Sequence, residues 1–229
     1  DSQEYKVDSL ICSADYHHID KEILPTHLSN YSEKYWDKRV LSPSCLIFYV
    51  GVNKKINKLD HHNLFFDEDI DVHTNEIYAT KQWPKKPLFY ACCPSKTDPS
   101  VAPKNKENLF FLIPIAPGME DTEAIRKTYF SKVIKRMERY CGHEIEKHIE
   151  YNRSYCINDF IKDYNSYKGN AYGLANTLSQ TANLKPKIVN KHLDNLFYSG
   201  QLTVPGPGVP PSIISGNVVA NYVMNHMSK

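Results

Sequence analysis

Asn195–Met224 reads NLFYSGQLTVPGPGVPPSIISGNVVANYVM and falls into three parts. Leu196 to Ser199 is a short apolar run suited to a buried strand, and Gly200 ends it. From Gly200 to Pro211 the chain holds four prolines and three glycines, the composition of a shaped turn. From Ser212 onward Ile213, Ile214, Val218, Val219, Tyr222 and Val223 recur at helical spacing. Strand, glycine turn and helix in this order aim backbone N–H groups and the positive end of a helix dipole beyond the strand. An electron-rich or anionic ligand suits that position, each such contact contributing roughly 0.3–2 kcal/mol. Glycine lets backbone approach a flat ligand closely, and proline limits the ordering entropy lost on binding. The same residues also fit a Pro/Gly surface turn before an ordinary C-terminal helix.

Working back along the chain, 229 residues suffice for one large domain or two small ones. With 41% hydrophobic and 24% charged residues, the composition is that of a globular protein. A net charge of +2 is too small to argue for nucleic acid. No stretch approaches the roughly 18–20 apolar residues of a membrane span, so any membrane contact is expected to be peripheral. The six cysteines form no CxxC, and several sit in apolar runs, so they are expected to be reduced core thiols of a cytoplasmic protein. Neither His17–His18 nor His61–His62 has a carboxylate at ligand spacing, and no metal site is expected.

Val7–Cys12 (VDSLIC) predicts a strand ending at Ser13-Ala14-Asp15, where Asp15 either accepts a hydrogen bond from a ligand or caps a helix over His17–Leu24. Lys21–Tyr35 reads as helical pieces broken at Pro25. Tyr31–Trp36 (YSEKYW) sets aromatics among charges, as a lipid-touching patch or a solvated packing face. Ser44–Val50, His62–Phe66, Pro87–Cys93 and Leu109–Ile115 are apolar runs separated by turns, and they predict an antiparallel or mixed sheet. Asp67–Asp71 (DEDID) lacks the glycine and final glutamate of a calcium loop and reads as a solvated acidic loop. Asp121–Cys141 is the clearest helix: Asp121 is its expected cap, Ile125, Tyr129, Val133, Met137 and Tyr140 make its apolar stripe, and Gly142 stops it. Its basic face (Arg126, Lys127, Lys132, Lys135, Arg136, Arg139) suits solvent or anionic headgroups. His148–Cys156 reads as a strand and Ile157–Tyr164 as a short helix.

The string Ser199-Gly200-Gln201-Leu202-Thr203-Val204-Pro205-Gly206-Pro207-Gly208-Val209-Pro210, followed by Ser215-Gly216, resembles the C-terminal flavin-contacting signature of the bacterial-type phytoene desaturases. SADYHHID (Ser13–Asp20), YWDKRVLSPS (Tyr35–Ser44), SKTDPSVAP (Ser95–Pro103) and KGNAYGLANTLSQTA (Lys168–Ala182) match the same family in order, over nearly the whole chain. The resemblance implies the C-terminal half of an FAD-dependent, amine-oxidase-like flavoprotein, with the glycine turn for the FAD pyrophosphate lying upstream in a missing N-terminal half of the same polypeptide. The implied class is α+β. Residues 1–20 exit the FAD-binding domain, 21–165 form a substrate-binding region with a mixed or antiparallel sheet and the 121–141 helix, and 166–229 return to the FAD-binding domain.

Carried onto this chain, the signature makes Gly200, Gln201, Gly208, Val209 and Pro210 the candidate FAD contacts. Relatives commonly hold an acid where Gln201 stands, and glutamine brings a hydrogen bond without the charge. Asn170, Tyr172 and Gln180 are the implied lining of the substrate tunnel, although Asn170 and Tyr172 also fit a Gly-Asn turn carrying a packed tyrosine. The implied reaction is the introduction of C=C bonds into a C40 polyene, phytoene toward lycopene, with hydride passing to FAD and the protein attached peripherally to a membrane. No side-chain nucleophile or acid–base pair stands out, so the catalytic residues are left unassigned. Two alternatives are a desaturase of a C30 or hydroxylated carotenoid, and a non-catalytic prenyl-binding escort of the same fold.

Overall fold

A computed structural model describes residues 3–227. The elements are β1 (Leu10–Cys12), α1 (Tyr16–His18, continued by a π turn over Ile19–Ile23), α2 (Glu33–Asp37), β2 (Ser44–Val52), β3 (His62–Phe65), α3 (Ile70–Tyr78), β4 (Phe89–Cys92), β5 (Glu107–Ile115), α4 (Glu123–Cys141), β6 (Ile149–Tyr155), α5 (Ile157–Tyr164), β7 (Leu196–Tyr198) and α6 (Val209–Met227). The class is α+β. The chain forms two compact units, one from its two ends (up to Ser42 and from Phe160) and one from the contiguous Pro43–Asp159.

The contiguous unit is an antiparallel sheet in the order β3-β4-β5-β2-β6. Strand pleating sends alternate residues to opposite faces. Leu46, Phe48, Val50, Leu109, Phe111 and Ile113 are buried together with Val133, Ile134 and Met137 of α4. Each such side chain contributes about 1.5–3 kcal/mol by leaving water. The opposite face is aromatic and only partly covered: His62, Cys92, Phe110 and Tyr49 fall in one cross-strand row, and Leu64, Tyr90 and Leu112 in the next.

Helix α4 buries Tyr129, Val133 and Met137 of its expected stripe together with Ile134 and Cys141, while Tyr140 is exposed. Thr122, not Asp121, caps it by accepting from the Ile125 N–H at 3.3 Å. Gly142 ends it in the left-handed conformation. Asp121 instead takes two charge-assisted bonds from Arg126, Nε to Oδ1 at 2.7 Å and NH2 to Oδ2 at 2.6 Å, and Arg126 also meets Asp159 at 2.7 Å. Part of the basic face is paired, while Lys127, Lys135 and Arg139 are exposed. Arg136 pairs with Asp67, Lys127 lies 3.9 Å from Glu123, and Lys132 donates to the Lys85 carbonyl at 3.0 Å. The acidic run is no free loop either. Asp69 caps α3 through the N–H groups of Asp71 and Val72, and Glu68 pairs with Lys86. Among the described residues no helix is long and apolar enough to cross a membrane.

Burial pushes the Asp121 carboxyl up, but the Arg126 guanidinium and the Asn158 N–H outweigh it and hold the group below the usual carboxylate range. A carboxylate with a depressed folded-state pKa stabilises above its unfolded value, about 3.9, and that stability is lost as pH falls through the folded value. Asp121→Asn is therefore expected to lower stability at pH 7 by about 3 kcal/mol. The deficit should narrow as pH falls below the unfolded value and through the folded one. Urea unfolding at pH 7 and at successively lower pH checks this, and a deficit that does not change with pH would refute it.

In the unit built from the chain ends, β1 and β7 pair in parallel. Strand β7 is buried on both sides. Leu196 and Tyr198 pack with Tyr16, Trp36, Leu174 and Leu202, while Phe197 packs with Ile188 and Val219 of α6. Trp36 is fully buried, its ring centroid 5.5 Å from that of Tyr16, and Tyr16 stacks on Tyr198 at 3.9 Å. The Tyr31–Trp36 segment is thus anchored in a core by its tryptophan.

Candidate functional site

The register Leu10↔Leu196, Ile11↔Phe197, Cys12↔Tyr198 makes β1 and β7 end together. The next residues, Ser13 and Ser199, meet with their Oγ atoms 2.8 Å apart. Parallel strands characteristically place ligands beyond their carboxyl ends. There the chain turns through Gly200 into the proline-glycine loop, and α6 begins at Val209, one turn earlier than the Ser212 expected from periodicity.

The loop is fastened by α6 itself. Ser215 Oγ accepts from the Gly200 N–H at 3.1 Å and lies 2.7 Å from Thr203 Oγ1, and Thr203 Oγ1 donates to the Gly200 carbonyl at 2.9 Å. Thr203 and Ser215 are fully buried, so these bonds are made without competition from water. Ser212 Oγ closes the first turn of the helix on the Gly208 carbonyl at 2.8 Å.

Two adjoining cavities lie against this junction. One, of about 360 Å³, is lined by Ser13, Asp15, Phe160, Tyr164, Asn170 and Gln201, among others. The other, of about 440 Å³, is lined by Tyr172, Gly200, Gly208, Val209, Ile213 and Gly216, among others. Gly200 borders both. Its φ of +111° admits glycine and few other residues, and a Cβ built there meets nothing within 4 Å. A Cβ on Gly216 likewise finds open space. The wall is therefore a cradle that side chains would fill, which fits the close approach of a flat ring system. Behind it, Gly173 (φ +94°) is pressed onto the Gln201 backbone so tightly that a Cβ would sit 2.3 Å from the Gln201 carbonyl oxygen.

The structure gathers most of the expected residues. Gly200, Gln201, Gly208, Val209 and Tyr172 share the second cavity. Asn170 lines the first, and its side chain also brackets the turn: Oδ1 accepts from the Gly173 N–H at 2.9 Å and from Gln201 Nε2 at 3.1 Å, while Nδ2 donates to the Tyr167 carbonyl at 2.8 Å. Asn170 thus holds the turn and also borders a cavity. Gln180 lines neither cavity. It is buried and clamps the backbone, its Oε1 accepting from the Val40 N–H at 3.0 Å and its Nε2 donating to the carbonyls of Val40 and Ala175. Pro210 borders neither cavity, and with Pro211 it strips the first turn of α6 of two N–H groups. Of the first three helical residues only Val209 carries a donor, so the charge presented is mainly that of the helix dipole.

Asp15 both caps α1, accepting from His18 N–H at 3.3 Å, and holds the Tyr167 N–H at 3.1 Å. Burial holds its carboxyl above the usual range against the lowering effect of those two bonds. The residues that sequence reasoning missed are the serines 13, 199, 212 and 215. Their signal was a small polar residue at each strand end and on the inner face of an otherwise apolar helix.

No family model matches the chain. The carotenoid 3,4-desaturase of Haloarcula japonica is 39% identical over 221 residues, covering 96% of this chain and 45% of its own length. The 4,4'-diaponeurosporene oxygenase of Staphylococcus haemolyticus is 30% identical over 220 residues (92% and 44%). The zeta-carotene-forming phytoene desaturase of Myxococcus xanthus is 27% identical over 226 residues (96% and 42%). The chain thus spans less than half the length of these relatives. A crystal structure of an oxidoreductase from Methanosarcina mazei superposes with a TM-score of 0.54 at 13% identity, over 100% of this chain and 44% of that one, a likeness of fold alone.

Proposed function

We propose, for a chain that belongs to the carotenoid and phytoene desaturases, that it is the C-terminal portion of an FAD-dependent enzyme that introduces C=C bonds into a C40 carotenoid precursor. The observation that carries this reading is the glycine wall at Gly200 and Gly216, open where side chains would stand, at the carboxyl ends of paired parallel strands. When bound, the flavin supplies the hydride acceptor that no side chain provides.

The residues of this chain then have separable tasks. Gly200 and Gly216 leave room for the ring, and Ser215 and Thr203 keep that wall rigid. The N-terminus of α6, with the Val209 N–H, favours negative charge developing beside it. Gln201 offers a hydrogen bond to a hydroxyl and is itself positioned by Asn170. In the contiguous unit, the partly covered face bearing Leu64, Tyr90, Phe110, Leu112 and Tyr49 supplies an apolar wall suited to a polyene.

Phytoene is the first candidate substrate. The higher identity to a carotenoid 3,4-desaturase, 39% against 27% for the phytoene desaturase, favours a second reading in which an already conjugated carotenoid is desaturated near its end. The full-length polypeptide is expected to purify with oxidised-flavin absorption. In cells supplying either phytoene or a conjugated acyclic carotenoid, it should yield products with longer-wavelength absorption from one of the two. A colourless protein that binds prenyl groups and changes neither pigment would instead favour an escort.

A further inference from the structure

Outside the glycine cradle, the contiguous unit holds a second cluster of chemistry-bearing side chains. Antiparallel pairing sets His62 of β3 directly opposite Cys92 of β4, so the two project from the same face. His61 precedes the strand, where the chain bends, and is held beside β4 by the Cys93 N–H, which donates to the His61 carbonyl at 2.8 Å. The bend defeats the usual opposition of neighbouring side chains: the two imidazole centroids are 4.2 Å apart. One ring nitrogen from each histidine and the Cys92 Sγ all lie within 4.8 Å of one another.

We propose that His61, His62 and Cys92 form a three-ligand site for a late first-row divalent cation, with zinc the best fit. Two imidazoles and a thiol suit such an ion, and the absence of a carboxylate from the set argues against magnesium or calcium. An ion held by all three would sit about 2.0–2.1 Å from each nitrogen and 2.3 Å from the sulfur.

The surroundings are those of a supported site. His61 Nδ1 lies 2.6 Å from Thr97 Oγ1, and His62 Nδ1 lies 2.5 Å from the Tyr90 hydroxyl. With each Nδ1–H donating to its hydroxyl, each Nε2 carries the lone pair that a metal requires. Tyr90 also hydrogen-bonds Cys92, so one phenol orients two of the three ligands. Cys92 is a free, half-buried thiol, unlike the fully buried Cys93 beside it. Three protein ligands leave a fourth position for water or an incoming donor. Bound there, the ion would staple the start of edge strand β3 to its partner strand β4.

Cobalt(II) titration of the full chain tests this, because cobalt reports both thiolate ligation and tetrahedral geometry by absorption. One equivalent is expected to produce a thiolate-to-cobalt charge-transfer band that zinc bleaches by displacement. Cys92→Ser should abolish the band, His62→Ala should do so at an exposed position where folding is not at risk, and Thr97→Val should weaken affinity by about tenfold or more through the lost support of His61. No charge-transfer band in the wild-type chain at excess cobalt, or a band that survives both Cys92→Ser and His62→Ala, would overturn the assignment.

Discussion

Gly173→Ala is expected to destabilise the unit built from the chain ends by roughly 3 kcal/mol or more. The added methyl would stand 2.3 Å from the Gln201 carbonyl oxygen and 2.8 Å from its carbonyl carbon, and φ of +94° disfavours any side chain. Backbone, not a flexible side-chain tip, would have to yield. Gln201 follows Gly200, whose N–H and carbonyl are both engaged by the Ser215–Thr203 cluster. On the other side, Gly173 donates to Asn170 and accepts from the Ser42 N–H at 2.8 Å. The corresponding fall in Tm is roughly 6–12 °C for a protein of this size. Hydrogen exchange should show the loss at β1, β7 and α6 and not in the Pro43–Asp159 sheet. A change under about 1 kcal/mol would mean that the loop is free to shift and the Gly173–Gln201 contact sets nothing.

Gly200→Val should act on the proposed cofactor more than on the fold. The new side chain meets no protein atom near its Cβ, so the structural cost is the backbone strain at φ +111°, about 1–3 kcal/mol. Its branches nevertheless project into the space shared by both cavities. In the full-length protein the flavin-to-protein ratio after dialysis is expected to fall at least tenfold, equivalent to about 1.4 kcal/mol of binding free energy. Gly216→Ala separates strain from occupancy, because alanine within a helix is favoured over glycine by about 0.8–1.0 kcal/mol. That variant should be as stable as the wild type or more so, yet retain flavin poorly. Full flavin occupancy in both variants would remove the cradle from the mechanism.

Legibility from sequence tracked the length and regularity of each pattern. The strands β2 and β5 and the helix α4 carry nine or more residues of consistent apolar period, and their extents differ from expectation by two residues or fewer. Helix α3 was missed because Asp67–Asp71 reads as solvated acid. Asp69 caps the helix and Asp67 binds Arg136 across 69 residues of sequence, a pairing that no local window contains. The same limit applies to Asp121, which a capping rule assigns to α4 and a distant strand–helix junction claims instead.

The candidate site was legible in outline, since the glycine-proline loop names its own strand and helix. Its internal arrangement was not. Ser215 becomes meaningful only when α6 lies over Gly200, and Gln180 proves to be a backbone clamp because Val40 and Ala175, distant and near in sequence, converge on it. The dipole reading of α6 needed correction from the sequence itself, as Pro210 and Pro211 have no N–H to offer.

Ser13 and Ser199 touch although they stand 186 positions apart in sequence, and everything between Ser42 and Phe160 belongs to the other unit. During synthesis the Pro43–Asp159 sheet can therefore close as soon as β6 leaves the ribosome, whereas the β1–β7 pairing cannot form until β7 has been made. Late, non-local parallel pairing of this kind is slow and leaves a strand open to mispairing in the meantime. The nascent chain should accordingly spend a long interval half-built, at which stage chaperone capture and translation speed would govern its yield.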